Sequence, residues 1–212
     1  MSTNKTGFTL HKIGQDSTIR KAVAQIAADR EWSIEHHFTS ETFVETVHQD
    51  LRGCVVVDLD TPGIRGIDFQ RELVARCSSL PVIFIAGSGD IEGILALMRF
   101  GAWDVLTKPL VSEMFVNRVE AALIFDQKLS TKRNAKRNYA KSLYQLTPRE
   151  RQVMELVVQG LANKQTAAAL SMSERTVEVH RARVMAKMGA VSLAELVGGH
   201  VNHHDDIVSA SN

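Results

Sequence analysis

The sequence predicts an α/β domain with a parallel sheet, followed by a separate all-α domain, and three observations predict it. The short continuous apolar runs 54–57 (Cys-Val-Val-Val) and 81–85 (Pro-Val-Ile-Phe-Ile) have the character of strands buried on both faces. They alternate with segments of helical apolar spacing through the first 125 residues. The last third of the chain has no such runs and instead carries clear helix starts and stops.

In chain order, Asp16 or Ser17 caps a first helix, with Ile19, Val23, Ile26 and Ala27 at helical spacing. Strand 54–57 ends at Asp58, and Asp60, Pro62, Gly63 and Gly66 form a turn cluster behind it. A helix over 67–76 turns Phe69, Leu73 and Val74 inward. Strand 81–85 follows, then a helix over 91–100, a short strand at Val105-Leu106 and a helix over 115–124. Five β-α units in about 120 residues describe a five-stranded, doubly wound parallel sheet of flavodoxin-like topology, whose sites lie at the C-terminal ends of the strands.

Residues 125–144 are predicted to form a basic helical linker. The stretch 124–144 carries the cations Lys128, Lys132, Arg133, Lys136, Arg137 and Lys141, Asp126 as its one anion, and neither Gly nor Pro, so it can continue the preceding helix. Its charge adds phosphate contacts or is simply solvated.

The third segment, 145–207, reads as four helices. Thr147-Pro148-Arg149-Glu150 is a capping box with proline at the first helical position. Val153, Met154, Leu156 and Val157 form the apolar face, and Gly160 is a left-handed stop. A short helix over 163–170 turns Ala167 and Leu170 inward. Ser173 caps a longer helix that ends before Gly189, and Ser192-Leu193-Ala194-Glu195 opens a last short one. In the third helix Val177, Val184 and Met188 face inward, leaving Arg175, Glu178, Arg181, Ala182 and Lys187 outside. Two helices joined by a tight turn, the second rich in exposed cations, make a helix-turn-helix that can enter a major groove. The same pattern also suits a solvated face on an ordinary helical core.

Composition bounds the function. At 212 residues, with 44% hydrophobic residues and a net charge of +1, the chain suits two globular domains. Residues 1–123 carry 12 Lys/Arg against 16 Asp/Glu, so the near-neutral total conceals a basic centre and does not argue against nucleic acid. No apolar run spans a bilayer, and the opening Met-Ser-Thr-Asn-Lys-Thr lacks a signal peptide's apolar core; a cytoplasmic protein is expected. Cys54 and Cys77 have no metal-ligand spacing and are expected reduced and buried. His200, His203, His204, Asp205 and Asp206 are expected to form a frayed polar tail. No metal site is expected.

Asp58, at a strand end, is the one carboxylate placed for chemistry, since such a group can accept a phosphoryl group. Its segment, 55–66 (Val-Val-Val-Asp-Leu-Asp-Thr-Pro-Gly-Ile-Arg-Gly), resembles the phosphoacceptor strand and turn of two-component receiver domains. Segment 80–90, Leu-Pro-Val-Ile-Phe-Ile-Ala-Gly-Ser-Gly-Asp, resembles the FixJ-like subgroup, and 101–109, Gly-Ala-Trp-Asp-Val-Leu-Thr-Lys-Pro, resembles the last strand with its lysine, Lys108. Residues 146–150, 160–164, 175–181 and 187–190 resemble the LuxR-type helix-turn-helix. The whole chain thus resembles a FixJ/NarL-type response regulator, with a receiver at 8–124, the linker, and an output domain at 145–207.

The resemblance implies roles. Glu178, Val179 and Ala182 would face base edges, while Lys164, Arg175, Thr176, His180, Arg181, Arg183 and Lys187 would sit nearer the DNA backbone. Glu178 either accepts from a cytosine amino group or pairs with Arg175 or Arg181. Expected partners are double-stranded promoter DNA, RNA polymerase and a second copy of the chain. The usual receiver dimer face spans 91–106, and Leu193, Leu196 and Val197 would pair output domains.

Departures from the receiver pattern are concentrated at the site. Gly14 and Gln15 stand where an acidic pair normally holds Mg²⁺, and Asp16 comes one residue late, where it caps a helix. Mg²⁺ prefers carboxylate oxygens, so Asp58 with the carbonyl of Asp60 makes a poor site and no cofactor is expected. Ala86 replaces the usual Thr/Ser, with Ser88 two positions on. Val105 replaces the usual aromatic, with Trp103 expected on the same face by strand period. An atypical receiver acting without Mg²⁺-dependent phosphorylation is therefore expected, the alternative being a conventional regulator phosphorylated on Asp58 by a histidine kinase. An enzyme is not expected: no Gly-rich phosphate loop or nucleophile–base pair is present, so a flavin-type enzyme is the weaker reading, as is a regulator that only sequesters a partner.

Overall fold

The computed structural model describes residues 8–48, 50–61, 65–76, 78–87 and 91–208, the stretch 204–208 as backbone only. Pro62, Gly63, Cys77, Ser88, Gly89 and Asp90, the opening 1–7 and the side chains of His204, Asp205 and Asp206 lie outside the described residues. The chain divides into two compact units, Met1–Ser130 and Thr131–Asn212.

The first unit is a five-stranded, all-parallel sheet in the order β2-β1-β3-β4-β5. Its strands are β1 (Thr9–Ile13), β2 (Ser33–His37), β3 (Gly53–Asp58), β4 (Val82–Ala86) and β5 (Asp104–Thr107). The helices are α1 (Ser17–Asp29), α2 (Ser40–Val44), α3 (Gly66–Ala75), α4 (Ile91–Arg99) and the start of α5 (Ser112–Gln145). Strand β4, and β3 up to its last residue Asp58, are apolar because helices cover both faces. Val56, Ile83 and Leu106 pack with α1 and α5 residues such as Val23 and Val119, whereas Val55, Val57 and Phe84 pack with Phe43, Phe69 and Leu97. The strand order reverses between β1 and β3, which places the crevice of such a sheet at their C-terminal ends.

Asp16 is the α1 cap, accepting from the amides of Thr18 and Ile19. Val74 is 61% exposed rather than core; the inward stripe of α3 is Phe69, Gln70 and Leu73, and Val74 lies off it. Gln70 is buried instead, donating to the Gly101 carbonyl. Trp103 and Val105 do not share a face. Trp103 precedes β5, packs on Phe125 and joins the α1/α5 side, whereas Val105 packs on the opposite side. The helix expected over 115–124 runs on without a break through the basic stretch, which has no residue to stop it. Asp126 and Ser130 still belong to the first unit, accepting from Arg52.

In the second unit the end of α5 is followed by α6 (Pro148–Val158), α7 (Asn163–Leu170), α8 (Glu174–Met188) and α9 (Leu193–Val208). The Thr147–Glu150 capping box is complete, and Gly160 and Gly189 take the left-handed conformation that ends α6 and α8. Ser173 caps α8 through the Thr176 amide. The core is Leu146, Val153, Met154, Val157, Ala167, Val177, Val184 and Leu196. Two expectations change here. Helix α9 is not short: it carries through residues 200–204, expected to be a frayed tail, because the Tyr139 hydroxyl bonds His200 and its ring packs on His203. Leu196 is 2% exposed, packed in its own core and not available to pair output domains, although Leu193 remains exposed.

Candidate functional sites: a carboxylate–lysine pocket and a recognition helix

Asp58 is the last residue of β3 and fully buried, and its Oδ1 lies 2.9 Å from the Lys108 ammonium. The Asp60 amide donates to the same oxygen. Lys108 follows β5 and gathers two more carboxylates, Asp60 at 2.8 Å and Asp16 at 3.5 Å. Burial pulls its ammonium pKa down, but the hydrogen bonds it donates to Asp60 and Asp58 outweigh that, so the pKa lies above the ordinary lysine value. Strands β1, β3 and β5 thus converge three carboxylates on one cation at the topological crevice. Ala86, at the end of β4, contributes only its carbonyl, which accepts from the Lys108 amide.

Sequence reasoning missed Lys12. It lies near the C-terminal end of β1, is fully buried, and its Nζ donates to the Ile13 carbonyl. A side chain begun at Gly14 would put its Cβ 2.9 Å from that Nζ, 2.6 Å from Thr61 Oγ1 and 3.0 Å from Asp58 Cβ. The Lys12 ammonium therefore stands beside the space that a side chain at 14 would take, and Gly14 at φ +126° keeps that space open. Burial lowers the pKa of Lys12, while Asp58 and Asp16 oppose the shift. A lysine two residues before a glycine, in a strand with period two, was the available signal.

These residues do not fit a Mg²⁺ centre. Gly14 has no side-chain ligand atom, Gln15 is exposed, and the carboxylates of Asp16, Asp58 and Asp60 are engaged with Lys108. A dication entering there meets two ammonium groups where it needs oxygen ligands. Asp58 Oδ2 and Thr61 Oγ1 are nonetheless buried with no hydrogen-bond partner among the described residues.

In the second unit, Val177 and Val184 anchor α8 in the core and the opposite face is open. Arg175, Glu178, Val179, Ala182 and Arg183 follow the i, i+3, i+4, i+7, i+8 pattern and are exposed, as are Thr176 and, on α7, Lys164. No ion pair of Glu178 occurs among the described residues. Arg181 and Lys187 differ from the outward placement read from sequence. Arg181 donates to Asn163 Oδ1 at 3.0 Å, linking α8 to α7, and is half-buried, as is His180. The Lys187 ammonium lies 2.6 Å from Glu150 Oε2 and 3.1 Å from the Gln145 carbonyl. Helical spacing shows which face a cation leaves from, but not that a long stem folds back onto a buried carboxylate.

A doubly wound sheet with a strand-end carboxylate paired to a lysine, joined to a helix-turn-helix, is the architecture of the two-component response regulators. Residues 13–120 match the response regulator receiver domain family, and 144–198 match the family of bacterial regulatory proteins of luxR type. The chain is 37% identical over 188 residues to the transcriptional regulatory protein FixJ of Azorhizobium caulinodans, covering 89% of each. It is 33% identical over 192 residues to the response regulator protein TodT of Pseudomonas putida, covering 89% of this chain and 83% of TodT. Among solved structures, the response regulator StyR superposes with a TM-score of 0.84 at 31% identity, covering 92% of this chain and 98% of that one. Full-length FixJ from B. japonicum does so at 0.57 and 31%, covering 94% and 98%. The chain belongs to the FixJ/NarL-type response regulators, a family of DNA-binding transcriptional regulators. No helix among the described residues is long and apolar enough to cross a membrane.

Proposed function

We propose that this chain regulates transcription by binding promoter DNA through α8, with a receiver unit that works without Mg²⁺-dependent phosphorylation of Asp58. The observation that carries this reading is the Lys12 ammonium beside Gly14: a fixed monovalent cation shares the pocket that would need to admit a divalent one. With Lys108, it neutralises Asp58 without an added ion. Ala86 offers no hydroxyl to a phosphoryl oxygen and Val105 no aromatic switch. Control then comes from expression level, a partner or ligand, or dimerisation, with Ile91, Leu95 and Met98 forming an exposed apolar stripe on α4 suited to a second copy. The protein acts in the cytoplasm with RNA polymerase.

On DNA, Glu178, Val179 and Ala182 face base edges, while Arg175, Thr176, Arg183 and Lys164 meet phosphates. Arg181, His180 and Lys187 support the helix that presents them.

A second reading, phosphorylation of Asp58 by a histidine kinase, is favoured by the unpartnered Asp58 Oδ2 and Thr61 Oγ1. Intact mass after incubation with Mg²⁺ and acetyl phosphate separates the two, with Asp58→Ala alongside. The proposal expects no adduct; an Asp58-dependent phosphoryl adduct establishes the second reading.

A further inference from the structure

We propose that His11, Glu35 and His37 form a Zn²⁺ site on the edge of the receiver sheet, on the sheet face opposite the Asp58 side chain and independent of how Asp58 is used. His11 lies on β1 and pairs in register with Glu35 on β2; His37 is two residues further along β2. Strand alternation therefore puts all three side chains on one face. Asp58 alternates onto the other face with Val56 and Cys54.

The spacing suits a tetrahedral ion. His11 Nδ1 lies 3.4 Å and His37 Nε2 3.9 Å from the same oxygen, Glu35 Oε2, and one donor atom from each residue falls within 4.8 Å of the other two. Ligands about 2.0–2.1 Å from a zinc ion sit roughly 3.3 Å apart, so a small closure seats the metal. Two imidazoles and a carboxylate are a zinc donor set that leaves a fourth position for water, and they suit a borderline metal far better than Mg²⁺.

The surroundings point to a ligand. His11 is 1% exposed, and although the Glu35 carboxylate and the Arg52 backbone lie near its ring, neither ring nitrogen makes a full hydrogen bond among the described residues; His37 Nε2 is likewise buried and unpartnered there. Buried polar atoms without partners are uncommon in folded proteins, and an absent ion is one standard reason for them. The Phe43 ring packs 5.2 Å from His11 and 5.0 Å from His37, centroid to centroid, which fixes the imidazoles from one side. The Glu35 side chain is 61% exposed and opens a route from solvent. Seated there, the ion ties edge strand β2 to β1, so it stabilises the receiver unit by binding only its folded form.

The test uses the full-length chain, stripped with chelator and titrated calorimetrically with Zn²⁺ and, separately, Mg²⁺, with thermal melts of each. The expected result is one Zn²⁺ per chain, no heat with Mg²⁺, and a melting temperature raised by about 5 °C or more at saturation. Glu35→Gln, at an exposed position that leaves the fold intact, and His37→Gln at the edge strand should each weaken Zn²⁺ by about tenfold or more. His200→Gln/His203→Gln/His204→Gln should leave it unchanged. Absence of Zn²⁺ binding, binding indifferent to Glu35→Gln and His37→Gln, or binding lost with the C-terminal histidines would each overturn the proposal.

Discussion

Lys187 lies on the helix offered to DNA, yet its ammonium is held by Glu150 and the Gln145 carbonyl. Its charge already has a partner, and removing it leaves a buried carboxylate exposed to that loss. Lys187→Ala should therefore cost about 1–3 kcal/mol of stability in the second unit and leave the salt dependence of DNA binding nearly unchanged. Arg183→Ala should do the reverse: the salt slope falls by about one, while stability moves by no more than about 0.5 kcal/mol. Denaturant melts and gel shifts at several salt concentrations read both. Glu178→Ala should change which sequences are preferred more than overall affinity. Glu150 adds a pH dependence. The Lys187 ammonium and then the Thr147 amide hold its pKa at about 2. A carboxylate depressed on folding stabilises fully above its unfolded value of about 4.3, and that stabilisation disappears as pH falls toward the folded value. The second unit should accordingly lose stability between about pH 4.5 and 2, and Glu150→Gln should flatten that part of the curve.

At the element scale, β1 shows both what a sequence tells and what it conceals. Helices α1, α6 and α8 were legible because their caps are local: Asp16, Thr147 with Glu150, and Ser173 each bond an amide two or three residues ahead. Asp58 was legible because it ends a strand whose apolar run announces it, and Lys108 because segment 101–109 resembles the last receiver strand with its lysine. Strand β2, Ser-Ile-Glu-His-His, was not: as an edge strand half open to solvent it has no apolar run. Nor did sequence expose the burial of Lys12 and His11, since strand alternation sends them to opposite faces and each meets partners from another strand. Lys12 and Gly14 form a unit at the end of β1, the first sending its ammonium into space that the second leaves free. Putting an acid back at that position, Gly14→Asp, forces a side chain into φ +126° and within 2.6 Å of Thr61 Oγ1. It should destabilise the receiver by more than about 2 kcal/mol and create no Mg²⁺ site, which denaturant melts and Mg²⁺ titration will read.

At the scale of the whole molecule, α5 carries the division between the units inside one unbroken helix. Sequence placed that division in a linker of its own, because 124–144 looks uniformly basic and lacks breakers. Packing assigns its residues individually. Asp126 and Ser130 satisfy Arg52 in the first unit, whereas Tyr139 bonds His200, Leu143 packs on the second core, and the Leu143 carbonyl accepts from Arg151. The core from Leu146 to Leu196 lies wholly beyond residue 130. A fragment beginning at Thr131 should therefore fold by itself, bind DNA and keep the full chain's salt slope, because Lys164, Arg175 and Arg183 remain. A fragment beginning at Gln145, nearer the boundary the charge pattern suggests, loses the Tyr139–His200 bond and the Leu143 packing. It should be less stable by about 2–4 kcal/mol, combining a lost hydrogen bond with lost apolar burial. Its α9 should fray at its C-terminal end, where Tyr139 otherwise holds His200 and His203. Thermal melts and amide exchange on the two fragments decide this: equal stability and equal protection of α9 would show that the end of α5 is a tether and not part of the output fold.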